Sequence, residues 1–342
     1  MHSNSFDLLR LIAACLVLFS HQHVLLGYSE PAFFGWTTFG GTGVSIFFFL
    51  SGALVWSSWS RDPDLFRFFF RRALRIFPAL WVAVLLTVLV FGPLLSTLSV
   101  TDYFGSNATW RYTRTALLLV QKSLPGVLSD NPYPSVVNGS LWTLPVEFLC
   151  YGTVAVIGSL TLAKKNGWVG VFLCLAVLLA AYGWRVLGWH FVSHFEMVAF
   201  FWWGVTFGCL SGSSFQAQRT VSVLAAVAFV AFVFLGERGM QRTAMLLFAA
   251  MMVLAAQRYK WGAILTARLG DLSYGMYIFA FPVQQLIVEI GRGREWAFEM
   301  YLGLSFLITG AMAYLSWHLV EKPALRFKPL SRSSNRLCKQ HG

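Results

Sequence analysis

LLRLIAACLVLFSHQHVLL, residues 8–26, is apolar except for Arg10 near its start and the cluster Ser20, His21, Gln22 and His23 near its end. As a helix rising 1.5 Å per residue it is about 28 Å long, close to the thickness of a bilayer's hydrocarbon core. Comparable runs follow at 41–59, 76–95, 141–162, 168–188, 195–211, 220–236, 243–257, 272–290 and 300–319. They are too continuously apolar for the alternating strands of a barrel, and lipid offers backbone amides no partners, so helices are the expected form. The expected fold is an all-α, polytopic transmembrane helix bundle of about ten spans. It forms a single domain over residues 1–330, followed by a basic cytosolic tail at 331–342.

Composition agrees. Of 342 residues 57% are hydrophobic and 12% charged, against roughly 25% charged in a soluble domain. A net charge of +12 would suggest nucleic acid in a soluble protein, but position explains it here. With both termini cytoplasmic, eighteen of the 26 Lys and Arg fall on the cytoplasmic side and eight outside, the asymmetry that sets topology. The same charge attracts anionic lipid or a phosphorylated ligand, and no nucleic-acid partner is expected. The five cysteines show neither disulfide framework nor metal spacing. The stretch 1–10 contains Asp7 and little basic charge, and no small-residue cleavage site follows, so an uncleaved first span is expected.

Ionisable groups inside spans are costly and become functional candidates. Arg10 and His21 are eleven residues apart and return to within roughly 20° of one helix face, about 16 Å apart along the axis. His21 is therefore either a base or nucleophile, or a structural histidine bonded to a neighbouring helix. His23 points roughly 200° away from His21 and is expected at the interface. The connection RDPDLFRFFFRRALRIFP, residues 61–78, precedes span three. Its Arg67, Arg71 and Arg75 share a helical face, and with Arg72 they suit either the phosphates of coenzyme A or lipid headgroups. Glu147, about six residues into span four, sits at a depth like that of His21, so a shared cavity or a structural ion pair is expected. The glycines at 40, 41, 43 and 52 permit close approach of a helix or a thin ligand arm. The long connection 96–140 is expected outside as an acceptor-binding loop, with sequons at Asn107 and Asn138.

In order, FDLLRLIAACLVLFSH (6–21), GGTGVSIFFFLSG (40–52), RRALRIFPAL (71–80), SLWTLPVEF (140–148), LGDLSYGMYIFAFPV (269–283) and LSWHLVEKPALRF (315–327) resemble the landmarks of the acyltransferase-3 family. The resemblance implies a membrane O-acyltransferase without an appended hydrolase-like domain. Such an enzyme moves an acyl group, usually acetyl, from acyl-CoA to a carbohydrate or glycolipid, in a bacterial inner membrane and without a metal. It implies that His21 is the essential histidine, with Arg10 and Glu147 beside it in the catalytic set. It further implies that Arg71, Arg72, Arg75 and Tyr274 hold the donor, Tyr274 and Tyr277 matching the family's SYxxY landmark. A departure is Ala280, where many members carry histidine, so no role carries over to it. A transporter or flippase without chemistry is the alternative class, since a His and Glu in a cavity also suit proton coupling.

Overall fold

The structure is a computed structural model and describes residues 5–33, 37–162, 192–210 and 269–329. The long helices among these residues are α1 (Ser5–Leu25), α2 (Phe39–Arg61), α3 (Leu65–Leu86), α6 (Thr143–Leu162), α7 (Val192–Leu210), α8 (Ser273–Gly291) and α9 (Phe298–Ser316). Short helices α4 (Val100–Gly105) and α5 (Asn107–Tyr112) lie between α3 and α6. A two-residue strand pair, β1 (Ala32–Phe33) against β2 (Thr37–Thr38), closes the turn between α1 and α2.

Five helical runs are long and apolar enough to cross a membrane: Phe6–Leu25, Phe39–Arg61, Leu65–Leu95, Ser140–Leu160 and Phe298–Leu325. The protein is thus an all-α transmembrane bundle. The spans expected at 195–211 and 272–290 also coincide with helices, α7 and α8. Those expected at 168–188, 220–236 and 243–257, and the tail at 331–342, lie outside the described residues.

The surface of the bundle reflects its solvent. Leu89, Leu94, Leu160, Leu307 and Leu319 are exposed on spanning helices, where lipid solvates them as well as protein would. Because lipid supplies no hydrophobic drive for helix association, small residues set the close crossings. A Cβ on Gly52 of α2 would meet the backbone carbonyl of Phe201 on α7, and a Cβ on Gly204 would meet that of Phe49. Gly43 lies in the same way against the Ala13 carbonyl of α1. These glycines serve helix packing.

The arginine stretch requires a correction to the reading of 61–78 as a connection. Only Asp62 to Asp64 link α2 and α3, and the arginines occupy the first three turns of α3. The cause is local: the Asp64 carboxylate accepts from the Arg67 N–H at 3.0 Å and caps the helix, while Pro78 sits inside the helix, which bundle neighbours make tolerable.

Helix α3 continues through a π-turn at Thr87–Phe91 into Gly92–Leu95, and α9 continues through one at Trp317–Glu321 into Lys322–Leu325. The 96–140 connection packs back onto the bundle. Tyr103 donates to the Val88 carbonyl in the first π-turn at 3.0 Å. Asn131 donates to the Gln285 side chain at 2.7 Å, Gln285 donates to the carbonyls of Tyr133 and Val136, and Asn138 donates to the Ile278 carbonyl at 2.9 Å, all onto α8. Asn138 is buried with its amide engaged, so its sequon is not open to a glycan.

Candidate active site

Helix α8 runs alongside α1 and collects the face on which Arg10 and His21 lie. At one end Arg10 pairs with Asp271, just before α8, at 3.2 Å. Two turns beyond the start of α8, Phe281 meets the His21 ring edge-on with centroids 5.3 Å apart. The segment that begins at Asp271 and continues as α8 thus touches both residues, as their spacing requires. His23 points elsewhere, its Nδ1 3.0 Å from the Phe19 carbonyl and its ring against Phe298 of α9.

Asp271 is the centre of a four-segment charge network. It accepts from Arg10 and Arg75, while Arg75 also pairs at 3.1 Å with Glu321, a residue 2% exposed at the end of the α9 π-turn. Burial acts to raise the Asp271 pKa, but Arg75, Arg10 and the Ser273 hydroxyl outweigh it and hold the carboxyl at about 2. The network ties α1, α3, α8 and α9 at one end of the bundle. Arg75 also lies over the Tyr274 ring, 5.6 Å from its centroid, and Tyr274 donates to the Ile76 carbonyl at 2.8 Å.

A second cluster lies further out on the same end. Asp62 pairs with Arg67 and with Arg71, each at 2.8 Å, and Asp64 with Arg67 at 3.3 Å. Burial opposes ionisation of Asp62, yet the hydrogen bonds from Arg71 and Arg67 lower its pKa. Arg72 lies instead over the Tyr151 ring at 5.9 Å.

A cavity of about 40 Å³ is lined in part by Arg10, Phe47, Thr143, Glu147, Tyr274 and Tyr277, and His21 is not among its lining residues. That is room for about three waters. Oε1 of Glu147 accepts from the Ser51 and Tyr151 hydroxyls, each at 2.6 Å. Glu147 therefore shares the cavity with Arg10 and the two motif tyrosines. No hydrogen bond joins it to the His21 ring among the described residues. At the other end of the cavity Tyr277 donates to the Ser140 carbonyl at 2.8 Å and lies 2.7 Å from the Thr143 hydroxyl.

The Nδ1 of His21 is buried and makes no hydrogen bond among the described residues, although the residue as a whole is only partly buried. The nitrogen open to a ligand is therefore Nε2. Sequence reasoning missed Asp271, Ser51 and Tyr151. Asp271 was visible as a rare acidic residue in an apolar landmark, whereas the hydroxyl partners of Glu147 had no distinguishing signal.

The acyltransferase-3 family model, described as an acyltransferase domain, matches residues 3–321. The chain belongs to this acyltransferase family. It is 34% identical to an O-acetyl transferase of Shigella phage Sf6 over 98% of this chain and 99% of that protein. It is 30% identical to Nodulation protein 10 of Rhizobium leguminosarum bv. viciae over 96% of this chain and 94% of that protein. No solved structure matches it. Membership of the family makes the chain a membrane acyltransferase, and a transporter without chemistry is set aside.

Proposed function

We propose that the protein is an O-acetyltransferase that takes acetyl from cytosolic acetyl-CoA and delivers it to a hydroxyl of a cell-surface or periplasmic carbohydrate or glycolipid. The observation that carries this reading is the cavity that joins Arg10 and Tyr274, beside the arginine-rich end, to Glu147, Thr143 and Tyr277. The full-length similarity to a phage protein named O-acetyl transferase supports acetyl as the group moved.

In this reading the nucleotide end of the donor stays at the arginine end, with Arg71, Arg72, Arg75 and Tyr274 around it, and the thioester arm enters the cavity. The cavity holds about 40 Å³, less than the volume of such an arm, so binding must part its walls. Nε2 of His21 takes the proton of the acceptor hydroxyl as the oxygen attacks the thioester carbonyl; the C–S bond breaks and the proton passes to the leaving thiolate. Transient acylation of the imidazole followed by transfer to the hydroxyl is the same chemistry in two steps. Glu147 and Arg10 supply the fixed charges along the cavity.

The proposed setting is a bacterial inner membrane with both termini cytoplasmic, supported by the Lys and Arg asymmetry. Reporter fusions should place residues 61–75 inside; an active periplasmic fusion there would defeat this orientation. For the activity, mass spectrometry of surface glycans should show acetyl esters only when the protein is present. Identical spectra with and without it would overturn the carbohydrate acceptor.

A further inference from the structure

The His21 ring is placed by packing. Its Nδ1 is buried without a hydrogen bond among the described residues, and Phe281 of α8 meets it edge-on with centroids 5.3 Å apart. A hydrogen bond to one ring nitrogen usually fixes the orientation of an imidazole; here a neighbouring ring takes that part.

Phe281 is 4% exposed, and a distant part of the chain, the segment 131–139, packs on it as well. Tyr133 meets its ring at 72° with centroids 6.2 Å apart, and Val136 packs on the same apolar cluster. At Gly139 the fit leaves no room for a side chain. A Cβ there would lie 2.7 Å from Phe281 Cε2 and 2.9 Å from Cζ, nearer than such atoms approach. The Gly139 backbone, at φ −82° and ψ −15°, is open to any residue. The ring, and not the turn, therefore calls for glycine.

The segment is fastened to α8 on both sides of that ring. Asn138 donates to the Ile278 carbonyl, about one turn before Phe281, and Gln285, about one turn after it, donates to the Tyr133 and Val136 carbonyls at 2.8 Å. Residues three and four apart share a helix face. The stripe of α8 that holds the segment thus carries in its middle the ring that touches His21.

We propose that Phe281 is a positioning residue: seated against Gly139 and Tyr133, it holds the His21 imidazole at the angle from which Nε2 meets the acceptor hydroxyl. The role rests on the reading of His21 as the base under Proposed function; the seat of the ring does not. The segment 131–139 then sets the geometry of the base through one side chain, because a close-packed ring passes on a displacement and does not absorb it.

The test follows transfer of label from radioactive acetyl-CoA into the surface glycans of membranes holding equal amounts of full-length protein, with size-exclusion profiles of the solubilised protein to verify folding. Gly139→Ala adds only the Cβ that strikes Phe281, and the rate should fall about tenfold, part of the roughly 10²-fold cost of a 1 Å misplacement. The KM for acetyl-CoA should stay within about twofold, since Gly139 and Phe281 do not line the cavity of Glu147 and Tyr274. Tyr133→Ala changes an exposed residue and keeps the backbone bond from Gln285, so it should fold and lower the rate about threefold at the same KM. Leucine lacks Cε2 and Cζ. Phe281→Leu alone should cost about tenfold by loosening the imidazole, whereas the double variant Gly139→Ala/Phe281→Leu should return to within about threefold of wild type as the added methyl fills the space. A wild-type rate in Gly139→Ala, or losses that multiply to about a hundredfold in the double variant, would show that Phe281 only packs and would overturn the positioning role. His21→Ala, run alongside, separates the two readings. If it is inactive, those outcomes count against Phe281 alone; if it transfers normally, the base reading fails and the positioning role falls with it.

Discussion

His21→Ala should abolish acyl transfer in membranes holding equal amounts of protein, with a loss on the order of 10²- to 10⁴-fold, the usual contribution of a positioned acid–base group. The bundle should remain folded, because the imidazole makes no hydrogen bond among the described residues and is held by packing on Phe281. His23→Ala removes contacts with the Phe19 carbonyl and ring and with the Phe298 ring, so activity should fall little. The comparison of the two histidines separates chemistry from packing at the same helix end. Near-normal glycan acylation by His21→Ala would sink the mechanism.

Asp271→Ala should have the largest effect on stability. It leaves Arg10 without its ion-pair partner and Arg75 with Glu321 alone, and removal of one member of a buried charge network costs about 3–5 kcal/mol. Lower folded yield and an earlier thermal transition in detergent are the expected readouts; wild-type thermal stability would show that the network is dispensable. The wild type should show the same dependence through pH. Since folding lowers the Asp271 pKa to about 2, below the ordinary carboxylate value of about 3.9, the stabilisation is present above about pH 4 and is lost as pH falls through about 2. Its size is on the order of 2 kcal/mol.

The parts of the fold that were legible from sequence are those encoded within one helix. The length and apolarity of 8–26 define α1, and the eleven-residue spacing of Arg10 and His21 correctly places both toward one neighbour, α8. The i, i+4 spacing of Arg67, Arg71 and Arg75 is likewise realised, although the helix begins at Leu65, eleven residues earlier than the apolar run suggests. Apolar content marks where lipid begins, whereas the Asp64 cap marks where the helix begins. Pairings between distant segments were not legible. Arg10, Arg75, Asp271 and Glu321 come from four separate stretches, and no local period relates them. Glu147 was placed at a plausible depth, but its partners Ser51 and Tyr151 depend on how α2 and α6 cross.

The opposed glycines of α2 and α7 bear on how the cavity can widen. With Gly52 set against the Phe201 carbonyl and Gly204 against the Phe49 carbonyl, the two helices touch backbone to backbone at these positions, where no side chain lies between them to change rotamer and absorb a shift. They behave as one stiff plank. Phe47 and Phe48, which line the cavity, belong to that plank, while Glu147 rides on α6 and Tyr274 and Tyr277 ride on α8. A ligand arm that enters beside Glu147 must therefore displace α6 or α8, because α2 cannot retreat without carrying α7 along with it.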